Sequence, residues 1–252
     1  MSDKMCLTVD FEDEHHCENL DMRFESSLSD FALSALLDVM DRSGRVTIFV
    51  VAEIAKKYRE FLGDVIARGH EIGSHSASHR MLPTLLQSER CREITTSKKI
   101  LEDELQVSVY GFRAPNFAFE SSDALIAMEA GYAYESSGLN KAWLHPRALV
   151  GARLPVGLKS FDVCGRWYPP GGGYLRLFPS VINARNLVEN QSGAKQIYVH
   201  PWEFERTSRF EMASGMVARF KHRVNLNSTP RKVSALFPDG SSIPAREILS
   251  IN

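Results

Sequence analysis

Short apolar segments alternate along the chain with longer segments in which apolar residues recur every three or four positions. The segment "MCLTV" at 5–9 predicts a buried strand, and "SDFALSALLDVMDRSG" at 29–44 predicts a helix with a Ser/Asp start and a glycine stop. Next comes "RVTIFVV" at 45–51, whose β-branched residues predict a second strand. Further helices are predicted at 53–69, 88–105, 121–131 and 180–190, and further strands at 107–113, 132–137 and 195–200. This order predicts an α/β fold of parallel strands with outer helices, either an open sheet or a barrel.

Charged and imidazole side chains follow several of these apolar segments. They occur in "VDFEDEHH" at 9–16, "HEIGSHSASH" at 70–79, "FRAP" at 112–115 and "YVHPWEF" at 198–204. In parallel α/β folds the active site lies at the carboxyl ends of the strands. We therefore expect these four segments to meet at one rim.

His75 and His79 are separated by four residues, which is one helical turn, so both imidazoles would project to the same side. On its own this spacing is as common in a solvated loop as in a metal site. It is not the metalloprotease signature, because Ser76 and not Glu follows the first histidine, so a general base must come from elsewhere. Asp10, Glu12 and Asp13 supply carboxylates, although a polar exit from a strand has the same composition. Two histidines and one carboxylate form the ligand set of a catalytic metal site.

Arg113 and His200 each end a predicted strand. An arginine at such a rim can hold a carboxylate bidentately, or it can be a surface arginine in a turn. A lone histidine before a proline is more often a hydrogen-bonded structural residue than a catalyst. Trp202, Phe204 and Tyr174 are core aromatics or, equally, platforms on which sugar rings stack.

Composition and charge narrow the classes of protein. The chain has 252 residues with 44% hydrophobic content, which is enough for one main domain. Its formal net charge of −1 argues against nucleic acid as a partner. The four cysteines form no CxxC pair, which favours a reducing compartment. The N-terminal sequence lacks a signal-peptide pattern and no long apolar run is present, so we expect a cytoplasmic protein without a transmembrane segment.

Five motifs in order, "TVDFED", "HSASH", "RAP", "YESS" and "YVHPWEF", resemble those of the polysaccharide deacetylase family. These proteins are metal-dependent carbohydrate esterases that remove N-acetyl or O-acetyl groups from glycans. The similarity spans residues 5–205. The motifs "GGGYLR" at 171–176 and "FKHRVNL" at 220–226 are similar to a branch associated with exopolysaccharide biosynthesis.

The resemblance implies a distorted (β/α) barrel with fewer than eight complete strands. Residues 1–252 would form a single deacetylase-type catalytic domain, in which 206–252 is a less regular C-terminal extension packed near the rim. The implied activity is metal-dependent removal of an acetyl group from an N-acetylated amino sugar of a glycan or glycan precursor. The implied cofactor is a divalent metal, with zinc as the simplest choice and cobalt, nickel or manganese as alternatives.

The resemblance also implies a role for individual residues. Asp10 would be the general base, oriented by Arg113, and His200 would be the general acid. His75 and His79 would bind the metal. The third ligand would be Glu12 or Asp13, and a D-x-[DE] variant within the family favours Glu12.

Four further candidates would contact substrate: Tyr174, Arg176, Trp202 and Pro115. In many relatives an aspartate supports the acidic histidine, and here Glu135 is at the corresponding position. This departure and the irregular first motif support one alternative, a glycan-binding member of the fold that has lost turnover. A second alternative is a related C–N hydrolase of a small cyclic amide. The sequence leaves the oligomeric state open.

Overall fold

Seven parallel strands form one sheet in the computed structural model, which describes residues 5–13, 16, 27–137, 152–153, 171–177, 195–206, 220 and 223–251. The strands are β1 Met5–Phe11, β2 Thr47–Val50, β3 Glu71–Ser74, β4 Gly111–Phe112, β5 Tyr134–Glu135, β6 Ala152–Arg153 and β7 Lys195–Val199. Their order across the sheet is β6-β5-β4-β3-β2-β1-β7. All neighbouring strands are parallel, so their carboxyl ends share one edge.

Contacts between distant strands show that this sheet is curled. Gln196 on β7 and Ser136, which follows β5, are hydrogen-bonded at 3.0 Å, although four strands lie between β5 and β7 in the sheet order. Neighbouring strands are spaced about 4.8 Å apart, so a flat sheet would hold these residues more than about 20 Å apart. The fold is therefore the predicted distorted (β/α) barrel with fewer than eight complete strands.

Helices connect and cover the strands. They are α1 Asp30–Ser43, α2 Arg59–Ala67, α3 Gln87–Leu105, α4 Ser121–Glu129, α5 Gly172–Leu177, α6 Thr229–Leu236 and α7 Ala245–Ile248. Helix α1 begins as predicted, because Ser29 Oγ accepts a hydrogen bond from Ala32 N at 3.1 Å. It ends at Gly44, whose φ of 109° suits glycine and where a Cβ would lie 2.4 Å from the Gly240 carbonyl oxygen.

The first two strands are buried on both faces, as their continuous apolar sequence predicts. Val9 and Phe11 of β1 and Ile48 and Val50 of β2 join one core with the inward face of α1. The last core residue of β1, Phe11, directly precedes Glu12, so this core fixes the position of the first motif.

One predicted helix is interrupted in the structure. The predicted helix at 53–69 is divided into a 3-10 turn, Ala52–Ile54, and helix α2, because Tyr58 has a non-helical backbone. The Tyr58 hydroxyl donates to the Asp13 carboxylate and accepts from Leu28 N, so tertiary contacts override the local pattern. The helix predicted at 180–190 lies outside the described residues.

The end of the chain packs against the amino ends of the strands. Ser242 Oγ accepts from Leu7 N at 2.9 Å, and Ala245 N donates to Thr47 Oγ1 at 2.8 Å. This segment therefore lies at the opposite edge from the strand ends that carry the motifs, and the prediction that it packs near the rim is wrong for it. None of the helices within the described ranges is long and apolar enough to cross a membrane.

Candidate active site

His75 and His79 follow β3 and lie close together, with their ring centroids 4.9 Å apart. They do not share a helical turn as predicted. The chain from 75 to 80 is an irregular loop, in which Ser76 and His79 have positive φ angles of 66° and 61°. His79 N donates to Ser76 Oγ at 3.0 Å, which closes this loop and turns the second imidazole toward the first.

Glu12 completes a cluster with these two histidines. One donor atom from each of the three side chains lies within 4.8 Å of the others, and Glu12 Oε2 is 2.8 Å from His79 Nε2. His75 Nδ1 is 2.9 Å from the Arg113 carbonyl oxygen, so this nitrogen carries the hydrogen and Nε2 keeps a lone pair for a metal. The donor set therefore fits a divalent ion such as zinc, with coordination positions left for other ligands.

Asp13, the alternative to Glu12, points elsewhere. Its carboxylate is fully buried, accepts a hydrogen bond from the Tyr58 hydroxyl and pairs with Lys57 Nζ at 2.7 Å. These contacts tie the first motif to the start of α2 and occupy both carboxylate oxygens of Asp13.

Burial and neighbouring charges shift the pKa values of the three cluster residues in opposite directions. Burial lowers the pKa of His75 to about 4 despite the nearby Asp10, so this imidazole is neutral at physiological pH. Burial would also lower the pKa of His79, but the Glu12 carboxylate outweighs it and raises that pKa above its usual value. Burial would raise the pKa of Glu12, yet the neighbouring histidines, His79 first, hold it well below its usual range. Glu12 is thus an anionic group at neutral pH, as a metal ligand must be.

Asp10 lies at the end of β1 and is held by Arg113. The Arg113 guanidinium is fully buried and donates to Asp10 Oδ1 and, at 2.9 Å, to Thr8 Oγ1. Its other amino group donates to Ser136 Oγ at 2.8 Å and to Gln196 Oε1 at 2.7 Å. Among the described residues Asp10 Oδ2 has no hydrogen-bond partner, so it is available to accept a proton.

His200 follows β7 on the other side of Glu12, with its Nε2 3.9 Å from Glu12 Oε1. Its Nδ1 lies 2.8 Å from Glu203 Oε1, and burial, which lowers the pKa of His200, is outweighed by this hydrogen bond and by Glu12, so the pKa is raised. Glu203 is therefore the carboxylate beside His200, where Glu135 was predicted. Glu135 instead accepts from Ser137 N at 2.6 Å.

The structure describes the side chains of three of the four residues that were predicted to contact substrate. Arg176 is fully buried and its Nε lies 3.0 Å from Glu203 Oε2. Trp202 is 4% exposed, stacks on His200 at 4.9 Å and donates from Nε1 to Glu12 Oε1 at 3.3 Å. Pro115 is buried in the turn after β4. The side chain of Tyr174 lies outside the described part of the structure.

Sequence reasoning missed Glu203 and the pair Ser136 and Gln196. Glu203 had a recognisable signal, because a carboxylate three residues after His200 can accept its backbone N–H, as in a capping box. Ser136 and Gln196 carry no local signal. They are identified only because the curled sheet brings β5 and β7 around Arg113.

Fold and geometry together define a parallel α/β barrel whose carboxyl edge carries a candidate His/His/carboxylate metal site between a buried aspartate and a histidine. Residues 22–134 match the family model described as polysaccharide deacetylase, and residues 153–250 match a domain of unknown function, DUF3473. The first matched segment is therefore similar to polysaccharide deacetylases. His75, His79 and Arg113 lie within the first matched segment, and His200 lies within the second.

Solved structures share this fold at low sequence identity. A putative polysaccharide deacetylase from Mycobacterium smegmatis has a TM-score of 0.63 at 17% identity, with 99% of this chain and 91% of that chain covered. The family 4 carbohydrate esterase from Streptomyces lividans, in complex with acetate, has a TM-score of 0.54 at 14% identity, with 93% and 88% covered. A BA3943 mutant, described as a family pseudoenzyme with restored activity, has a TM-score of 0.58 at 15% identity, with 98% and 68% covered. These structures have the same fold as this chain.

Proposed function

We propose that this protein is a metal-dependent hydrolase that removes the acetyl group from an N-acetylated amino sugar of a glycan or glycan precursor. The motifs at 171–176 and 220–226 favour the branch associated with exopolysaccharide biosynthesis. Glu12, His75 and His79 would hold the metal, with zinc as the first choice. A bound divalent ion would supply Lewis acidity toward the acetyl carbonyl and the attacking water.

Asp10 and His200 divide the proton transfers. Asp10 accepts a proton from the attacking water through Oδ2, while Arg113 holds Oδ1 and fixes the plane of the carboxylate. His200 donates a proton from Nε2 to the sugar nitrogen as the carbon–nitrogen bond breaks. The products are acetate and a free amino sugar.

The observation that carries this proposal is the order of groups along the carboxyl edge. The candidate ligands Glu12, His75 and His79 lie between a carboxylate held by a buried arginine and a histidine held by a buried glutamate. A base and an acid on either side of a Lewis-acid site are groups that can together hydrolyse an unactivated amide.

The experiment is acetate release from a panel of N-acetylhexosamine substrates, including nucleotide-linked sugars and short oligomers. Protein treated with a chelator is compared with protein resupplied with zinc, cobalt, nickel or manganese, and metal content is measured alongside. We expect release that is lost with the chelator and restored by one of these ions.

The outcome that contradicts the proposal is equally specific. Protein that binds one metal ion per chain and releases acetate from none of these substrates is not such a deacetylase. That result would favour the glycan-binding alternative, in which the fold is kept without turnover.

A further inference from the structure

The support of His200 comes from a buried carboxylate three residues further along the chain. Glu203 is fully buried in the 3-10 turn Pro201–Phe204, and its Oε1 accepts from His200 N at 2.9 Å and lies 2.8 Å from His200 Nδ1. A carboxylate at Nδ1 fixes the hydrogen on that nitrogen. The other nitrogen, Nε2, is thereby directed toward Glu12 and the candidate metal site.

The second oxygen of Glu203 is held by Arg176. Arg176 Nε lies 3.0 Å from Glu203 Oε2, and both side chains are fully buried. Burial would raise the pKa of Glu203, but Arg176 and His200 outweigh it and lower that pKa. The carboxylate is therefore an anion that contacts Arg176 with one oxygen and His200 with the other.

Helix α5, which carries Arg176, is itself anchored by the C-terminal part of the chain. The Lys232 ammonium is buried and donates to the carbonyl oxygens of Leu175 and Arg176 at 3.0 and 2.9 Å. Asn225 Nδ2 donates to the same Arg176 carbonyl at 3.0 Å. These donors satisfy carbonyl groups at the end of a six-residue helix that would otherwise lack partners.

The start of α5 packs directly on the histidine. Gly172 has a φ of 48°, and a Cβ at this position would lie 3.2 Å from His200 Cε1. A side chain there would push against the imidazole ring. The "GGGYLR" motif thus allows close approach at its glycine end and supplies the charge partner of Glu203 at its arginine end.

We propose that Glu203, ion-paired with Arg176, is the positioning residue that orients His200 for proton donation to the leaving nitrogen, and that this is a role of the DUF3473 segment. The inference rests on the proposed function. As the carbon–nitrogen bond breaks, the His200 Nε2 proton moves to the sugar nitrogen, and the neutral ring keeps its Nδ1–H on Glu203. All four side chains of this arrangement, including Lys232, belong to the matched segment 153–250.

The test is Glu203→Gln, assayed on two probes that differ in their leaving group. An N-acetylglucosamine oligomer has an amine leaving group that must be protonated, whereas para-nitrophenyl acetate releases a stable phenolate. We expect kcat on the oligomer to fall about 100-fold with KM nearly unchanged, and hydrolysis of the aryl acetate to fall by less than about threefold. If this variant fails to fold, Glu203→Asp should show the same pattern with a smaller loss.

A second readout does not depend on turnover. In protein with isotope-labelled histidine, His200 should show an Nδ1–H resonance at low field, assigned by its loss in His200→Gln. A glutamine at 203 has a single acceptor oxygen, which cannot serve both Arg176 and His200, so we expect this resonance to weaken or disappear in Glu203→Gln.

The matched control is Glu205→Gln, at the residue that directly follows the turn Pro201–Phe204. Glu205 is a buried carboxylate that accepts from Ser29 N and Oγ at 2.8 and 2.7 Å and has no contact with His200 among the described residues. This control should leave both the oligomer rate and the resonance unchanged. The inference is overturned if Glu203→Gln lowers the rates on both probes equally or leaves the resonance unaltered. It is also overturned if Glu205→Gln lowers the oligomer rate as much as Glu203→Gln does. If the native protein hydrolyses neither probe, the proposed function is wrong. The resonance then tests by itself whether Glu203 orients His200.

Discussion

The guanidinium of Arg113 donates to the carboxylate of Asp10, although β2 and β3 lie between their strands in the sheet order. This contact exists because the sheet curls until the ends of β4 and β1 face each other. It couples the stability of the barrel to the orientation of the candidate base, so a change at either residue affects both fold and activity.

Asp10→Asn should abolish turnover and leave metal binding intact. An amide cannot take the proton of the attacking water, and general-base catalysis contributes about 10²- to 10⁴-fold. Deacetylase rates measured beside metal content check this. Wild-type activity in the variant would contradict the assignment of Asp10 as the base.

Arg113→Lys should lower both activity and stability. A lysine keeps the charge but cannot donate at once to Asp10, Ser136 and Gln196, and leaving buried acceptors unpaired costs about 3 kcal/mol. Urea unfolding and kcat are the measurements. The control is Arg59→Lys, which changes an exposed pair with Glu104 and should shift the free energy of unfolding by less than about 0.5 kcal/mol. Comparable effects of the two substitutions would contradict this account of Arg113.

Two variants, Glu12→Gln and Asp13→Asn, should distinguish the carboxylate that binds the metal from the one that stabilises the fold. Glu12→Gln should lose bound metal, because it removes the anionic donor of the cluster. Asp13→Asn should keep one metal per chain but unfold at lower denaturant, since Lys57 loses its buried charge partner. Metal content after dialysis and unfolding midpoints distinguish the two. The reverse pattern would make Asp13 the ligand.

Trp202→Phe should weaken metal binding about 10-fold, because phenylalanine keeps the ring but loses the Nε1 hydrogen bond to Glu12. Metal competition with a chelator gives the affinity. If Trp202 were instead a sugar platform, the variant would raise KM for the oligomer and leave metal affinity unchanged.

His70→Asn should remove part of the pH dependence of stability. Burial lowers the pKa of His70, and its Nδ1 must accept from Val46 N, so the folded state requires the neutral ring. The unfolded chain binds the proton first, at a pKa of about 6.5, so this contribution is complete above that pH and is lost as pH falls toward the lowered folded-state pKa. Asparagine retains an acceptor and does not titrate. Urea unfolding from about pH 8 to 5 should therefore show the native protein losing its advantage over the variant as pH falls. Parallel curves would exclude this role.

Local sequence determined the elements and most of the groups that carry chemistry. Ser29 and Gly44 bound helix α1, and continuous apolar runs produce the buried strands, because capping and burial act within a few residues. Parallel strands then bring Asp10, His75, Arg113 and His200 to one edge, since all carboxyl ends of such a sheet point the same way.

Tertiary structure alone decided which neighbour each group meets. Glu12 and Asp13 are adjacent carboxylates, and only the packing of β1 against α2 turns Asp13 toward Lys57 and leaves Glu12 beside the histidines. Likewise Glu203 meets Arg176 because helix α5 packs against the end of β7, a contact between segments that are separate in the sequence. Sequence pattern specifies periodicity and local caps, whereas the partners of buried charges follow from how the sheet curls.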